Sequence, residues 1–274
     1  MQLMKAFNRS AGLVAVAALC AAPAMRDLYA QTREERAAFT WEGRIREGRW
    51  IMVRNMNGAI EVTPSSGDRV EVVASRHTRR GDPDFVRFEV RKFGTNAEDV
   101  LICALWGENS SCDERGYRNR SDGRRRSNEV MVEFRVRVPK GVKVGVHSMN
   151  GEVSVDGVGS EVDATTMNGA VIVRSAAGPV NASTMNGTVR ATMGRFPVTT
   201  DMTFSSVNGT VIAEFAEDLN ADVELSTVNG RFLTDFAVTI SGRIDPRRLR
   251  ATLGKGGPRI RLSTVNGNVE LRKR

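Results

Sequence analysis

Ser148-Met149-Asn150-Gly151, Thr166-Met167-Asn168-Gly169, Thr184-Met185-Asn186-Gly187, Ser206-Val207-Asn208-Gly209 and Thr227-Val228-Asn229-Gly230 are five versions of one phrase. Outlying copies stand at Asn55-Met56-Asn57-Gly58 and Thr264-Val265-Asn266-Gly267. The Asn-Gly pairs from Asn150 onward recur at steps of 18, 18, 22 and 21 residues, then 37. That last step reads as two units, of which the one at Phe236–Ile260 has lost its Asn-Gly. A fixed period of about 20 residues marks a repeat architecture whose units contact mainly their neighbours.

Inside a unit the apolar residues alternate, as in Glu152-Val153-Ser154-Val155 and Glu161-Val162-Asp163-Ala164-Thr165, with Gly157 and Gly159 between. This is two short strands joined by a glycine turn. Val and Ile suit a pleated surface, and Asn and Gly tolerate the positive φ of a sharp bend. Asn-Gly between alternating runs also signals a hairpin, so a β-meander or up-and-down barrel competes with a parallel solenoid. Two features favour the solenoid. The units share residue identity at the bend, which stacking explains through amide ladders and columns of like side chains. The small residues Ala164 and Ala182 also fall at the same place in consecutive units, as a narrow coil interior requires.

Met1–Ala30 carries the marks of a signal peptide: Lys5 and Arg9, then an apolar run from Ala11 to Ala22 that is too short to span a bilayer. Ala22-Pro23-Ala24 and Leu28-Tyr29-Ala30 place cleavage after Ala24 or Ala30, leaving one β-solenoid domain over 31–274. No later stretch is apolar enough for an anchor, so a periplasmic, cell-surface or secreted location is expected. Removing the signal changes the net charge from +8 to +6. Such a balance favours anionic partners and is equally compatible with solubility alone.

Strands are expected at Arg49–Val53, Ala59–Val62, Arg69–Val73 and Phe85–Val90, with turns at Pro64–Asp68 and Gly81–Asp84. Cys103 and Cys112 are the cysteines left after signal removal, and in an exported chain they are expected to pair. Without a C-x-x-C motif, and with His77 and His147 as the only histidines, both read as exposed strand residues, no metal or cofactor site is expected. Asp82 and Asp84 lack the third acid of a calcium loop.

A basic insertion at about 105–128 follows, with Arg118, Arg120, Arg124, Arg125 and Arg126. Its part from Asp113 to Asn128 has no apolar periodicity and is expected to be a solvated excursion. Its arginines offer an anion-docking surface for phosphate or carboxylate groups; a loop that only keeps the insertion soluble is the plainer reading. Nucleic acid is not expected, because interleaved aromatics are missing. Two strands, Val130–Val138 and Val142–Val146, then lead into the repeats. Gly254-Lys255-Gly256-Gly257 lacks the Ser/Thr and helix of a P-loop and reads as a turn. The final strand, Asn268–Leu271, ends in Arg272-Lys273-Arg274, charges that would guard an exposed last edge.

At these residues the chain resembles the bacterial "putative adhesin" domain family, exported domains of uncharacterised function related to head GIN domains. Carrying the resemblance are Trp41-Glu42-Gly43, Asn55–Ile60, Val100–Ala104, Val136-Arg137-Val138-Pro139 and the serial Thr-x-Asn-Gly-x-Val units, over about Phe39 to Leu271. It implies a right-handed single-stranded parallel β-helix, all-β, with 18–22 residues per rung, on the cell surface or in the periplasm. No catalytic residues come with it. The basic loop after Cys112 and the rung without Asn-Gly depart from the pattern.

The expected function is therefore a non-catalytic envelope module or adhesin whose partner is an anionic envelope glycan or lipid, or another envelope protein. An envelope-stress sensor that pairs with a membrane protein fits export equally well. A polysaccharide-acting enzyme needs clustered carboxylates, and Glu152, Asp156, Glu161 and Asp163 are scattered on alternating strand positions. An ice-binding face needs a regular Thr-x-Thr pattern, which Thr165-Thr166, Ser183-Thr184 and Ser205-Ser206 do not supply.

Overall fold

Each bend divides its repeat into two strands that run in different sheets. A computed structural model describes residues 38–119, 128–238 and 245–274; the expected signal peptide lies outside these residues. The described residues belong to one unit, Ala37–Arg274. In chain order its strands begin with β1 (Phe39–Gly43), β2 (Trp50–Asn57), β3 (Ile60–Pro64), β4 (Val70–Arg80), β5 (Val86–Phe93) and β6 (Asp99–Trp106). A hairpin of β7 (Ser110–Asp113) and β8 (Gly116–Asn119) precedes β9 (Glu129–Val138). The repeats supply β10 (Lys143–Asn150), β11 (Val153–Val158), β12 (Val162–Asn168), β13 (Val171–Ser175), β14 (Val180–Asn186), β15 (Val189–Met193), β16 (Met202–Asn208) and β17 (Val211–Phe215). The chain closes with β18 (Ala221–Asn229), β19 (Phe232–Thr234), β20 (Arg248–Leu253), β21 (Arg259–Asn266) and β22 (Val269–Lys273).

Two long sheets result, ordered β1-β4-β9-β3-β11-β13-β15-β17-β22-β19 and β20-β18-β21-β16-β14-β12-β10-β2-β6-β5. Even-numbered strands from β10 to β16 stack in parallel in the second sheet, and their odd-numbered partners stack in the first. Register is set by the repeat: Val144, Val162 and Val180 align, as do Val146, Ala164 and Ala182. Successive strands point alternate side chains inward, so the valines of both sheets meet in one buried column. Where Phe204 takes the place held by Ala182, the first sheet carries Ala191 and Ala213 in line with Val173, so bulk on one side faces small residues on the other. The fold is thus all-β with a parallel repeat block, and the meander is excluded by its pairing.

Both ends depart from sequential stacking. The last rung, β21–β22, sits between β16–β17 and β18–β19, paired in parallel on both sides. The 37-residue step therefore does not hide a degenerate rung. Part of it is β20, which runs antiparallel to β18 along the edge. Nor is the final strand an edge: Leu271 is fully buried between neighbours. At the other end β6 and β9 form a rung parallel to β2 and β3, and antiparallel β5, β4 and β1 close it. Of the four outermost strands, β1, β5 and β20 thus run antiparallel to their neighbours, and β19 runs parallel to its own.

Candidate functional site

The bend corner is built from three columns. In the first, Ser/Thr hydroxyls point inward and donate to the glycine carbonyl of the adjacent rung: Thr166 to Gly151 at 2.9 Å, Thr184 to Gly169 at 3.0 Å, Ser206 to Gly187 at 2.9 Å. Thr264 bonds Gly209, and Thr227 bonds Gly267, each at 2.9 Å. These hydroxyls are buried, where a carbonyl left without a partner is costly. That is why the phrase opens on Ser or Thr.

The third column is an amide ladder. Asn168 donates to Asn150, Asn186 to Asn168, Asn208 to Asn186 and Asn266 to Asn208, each at 2.8 Å, and Asn229 to Asn266 at 2.7 Å. At the ladder's end Asn150 donates instead to the Met56 carbonyl, and Asn57 to that of Val130. The following glycine has no room for a side chain. At Gly187, with φ of 154°, a Cβ would collide with the Gly169 carbonyl.

Between these columns lies the exposed one. Met167, Met185, Val207, Val265 and Val228 are 39%, 47%, 37%, 41% and 50% exposed, and the half-buried Met56 and Met149 continue the line. With rungs about 4.8 Å apart, seven apolar side chains form a straight ridge beside the amide ladder. A contiguous apolar strip of this kind is a mark of an interaction surface.

A second feature lies on the outer face of the second sheet, where Cys103 and Cys112 are joined in a disulfide. The bond holds the β7–β8 hairpin over Leu101, Leu105, Met52 and Phe93 in a small separate core. Tyr117 takes part in it, donating its hydroxyl to the Ala104 carbonyl at 2.9 Å. The segment after Cys112 is thus, up to Asn119, a packed hairpin and not the solvated excursion expected. Its apolar signal is only Cys112 and Tyr117, too little for periodicity to detect.

Beside this core Arg54 donates to the Glu114 carbonyl at 2.6 Å, and His147 aligns with Arg54 on the neighbouring strand. The expectation of an exposed His147 is overturned: burial, aided by the Arg54 charge, pushes its pKa down to about 4. Burial likewise raises the Asp163 carboxyl and the Tyr117 hydroxyl and lowers the Arg54 guanidinium. Each shift opposes the charged form because the face is dry.

Of the expected anion-docking arginines, Arg118 is exposed and paired with Asp113 at 3.0 Å. Arg120, Arg124, Arg125 and Arg126 lie outside the described residues. The acids of the repeats are spread apart: Asp156 pairs with Arg174, Glu161 with Lys143, and Glu152 is exposed. Among the described residues no group of three or more His, Cys, Asp and Glu side chains is placed to hold a metal ion. No helix among them is long and apolar enough to cross a membrane.

A family model described as Toastrack DUF4097 matches residues 125–272. Two solved structures are similar in part. One is of a "putative cell adhesion protein" from Clostridium sporogenes ATCC 15579, at 8% identity and a TM-score of 0.43, covering 86% of this chain and 99% of that one. The other is of a "putative adhesin" from Bacteroides fragilis NCTC 9343, at 12% identity and a TM-score of 0.29, covering 86% and 96%. No curated protein matches the chain.

Proposed function

Because the chain belongs to the Toastrack DUF4097 family, we propose that its stacked bends are a binding device: an exported, non-catalytic envelope module that engages a partner along the ridge from Met56 to Val228. The observation that carries this reading is the ridge itself. Strand alternation turns the position between the hydroxyl and amide columns outward, yet it is apolar in rung after rung. The ladder holds the backbone beneath these side chains in place, so binding need not order it. The amide edge beside them supplies hydrogen bonds that fix direction. The disulfide supports an oxidising, exported setting, and the names borne by the two similar structures accord with a surface role.

The test is binding of the purified protein to arrays of envelope glycans, lipids and envelope proteins, repeated with the double variant Met167→Lys/Met185→Lys. Both side chains are exposed enough for the fold to tolerate lysine. Binding that falls at least about tenfold in the variant supports the ridge, since a few apolar contacts at a hot spot are worth that much. Equal binding by both proteins rejects it, and turnover of an uronic-acid polymer rejects the non-catalytic part.

A further inference from the structure

We propose that the outer face of the second sheet, at its β20 end, is a binding site for an acidic polysaccharide. Three adjacent strands place four arginines around two acids there. Arg250, Glu224 and Arg261 stand in one row across β20, β18 and β21; Thr252, Asp222 and Arg259 stand in the next. Arg248 flanks them opposite Ser226. Outward residues two apart on a strand are about 6.6 Å apart, and β20 and β21 are about 9.6 Å apart across β18. The guanidinium groups therefore frame a patch wide enough for more than one anionic group.

The centre of the frame is Glu224, whose side chain is only 6% exposed although it faces outward. Arg248 lies 3.0 Å, Arg250 3.9 Å and Arg261 3.4 Å from its carboxylate, and these arginines stay 50%, 67% and 46% exposed. Arg248 and Arg250 approach through Nε, the nitrogen nearest the backbone, and not through the terminal fork. Arg261 reaches the carboxylate through Nη2, so one carboxylate aligns three cations while leaving the terminal donors of Arg248 and Arg250, which best match a carboxylate or sulfate, unused by it. A cleft of about 330 Å³ lies over this row, lined by Asp222, Glu224, Arg250, Thr252 and Arg259.

Two observations favour a sugar polymer over a phosphodiester. The frame offers acceptors as well as donors: Asp222 is exposed and takes a hydrogen bond from Thr252 at 2.9 Å. A polysaccharide hydroxyl can donate to such a carboxylate, whereas a phosphodiester has only acceptors to bring. Beyond Arg248, the next outward row continues as Ser226, Ser263, Ser205, Ser183 and Thr165, one hydroxyl per rung along the stack. Its members are half-buried and in line, a polar track leading away from the frame without the aromatic platforms that bases stack on.

This proposal concerns a different face from the ridge and stands without it. The experiment titrates the purified full chain with polygalacturonate and with dextran sulfate, using neutral dextran, single-stranded DNA and anionic vesicles as comparisons. Binding of one or both acidic polysaccharides but not dextran is expected, and which one binds distinguishes carboxylate from sulfate. Arg250→Gln/Arg259→Gln should weaken it at least tenfold, while Arg79→Gln/Arg80→Gln, the same charge change elsewhere, should leave it within twofold. Met167→Lys/Met185→Lys should also leave it unchanged, which separates this site from the ridge. Equal weakening by both arginine pairs, equal or stronger binding of DNA or vesicles, or no binding at all would overturn the proposal.

Discussion

The Asn229 side chain donates to that of Asn266 at 2.7 Å, although Asn229 comes first in the chain and lies farther out on the stack. The last rung has thus been threaded between two older ones. Stopping the chain after Pro258 would remove an interior layer, including Ile260, Leu262, Val269 and Leu271, each fully buried. At about 2 kcal/mol per buried aliphatic side chain, the loss of about 8 kcal/mol is comparable with the stability of a whole domain. The shortened chain is expected to show no cooperative unfolding transition by circular dichroism. A transition within a few degrees of the full chain would mean that β18–β19 can close directly on β16–β17.

Gly187→Ala is expected to cost about 3 kcal/mol or more, because the new methyl meets the Gly169 backbone at a φ of 154°. Gly159→Ala is the matched control, with open space around its Cβ, and should stay within about 0.5 kcal/mol. Thr184→Val should fall between them, at about 1–2 kcal/mol, since it removes a buried hydroxyl from the Gly169 carbonyl. Urea titrations of the three variants order them directly.

The bends themselves were legible because each carries four residues with distinct duties, so Asn168 or Gly169 repeats whatever the strands do. Threading was not, since Asn266 bonds equally well to any Asn brought beside it and nothing local records which one. The frame around Glu224 was equally hidden: Arg250 meets Glu224 by the antiparallel pairing of β20 on β18, and Arg261 joins them only through that threading. His147 looked exposed because its own strand alternates as an outer position should. The structure instead places it half-buried beside Arg54 on the neighbouring strand, where burial and that charge depress its pKa.

Reducing the Cys103–Cys112 bond, or Cys112→Ser, should release the β7–β8 hairpin while leaving the solenoid folded. The bond closes a span of 9 residues, for which chain entropy gives about 2.5 kcal/mol. Hydrogen exchange should quicken at Ser110–Asn119 and hardly change at β12–β17. Uniform quickening would show instead that the hairpin is integral to the whole fold.

Acid should loosen the same face. The folded pKa of His147 is depressed to about 4 from an ordinary 6.5, so the unfolded chain binds the proton more readily. His147 costs nothing above pH 6.5, and its protonation then favours unfolding increasingly as pH falls to about 4, by about 3 kcal/mol in all. Asp163, raised by burial, runs the other way, because the folded state takes up its proton more readily as pH drops. Arg54 stays charged throughout and opposes a protonated His147 from the facing strand. Comparing the native protein with His147→Gln isolates the histidine: the two stability curves should run parallel above pH 7 and diverge between pH 6.5 and 4, the variant losing less. Parallel curves down to pH 4 would mean that the site opens and hydrates His147 before the proton arrives.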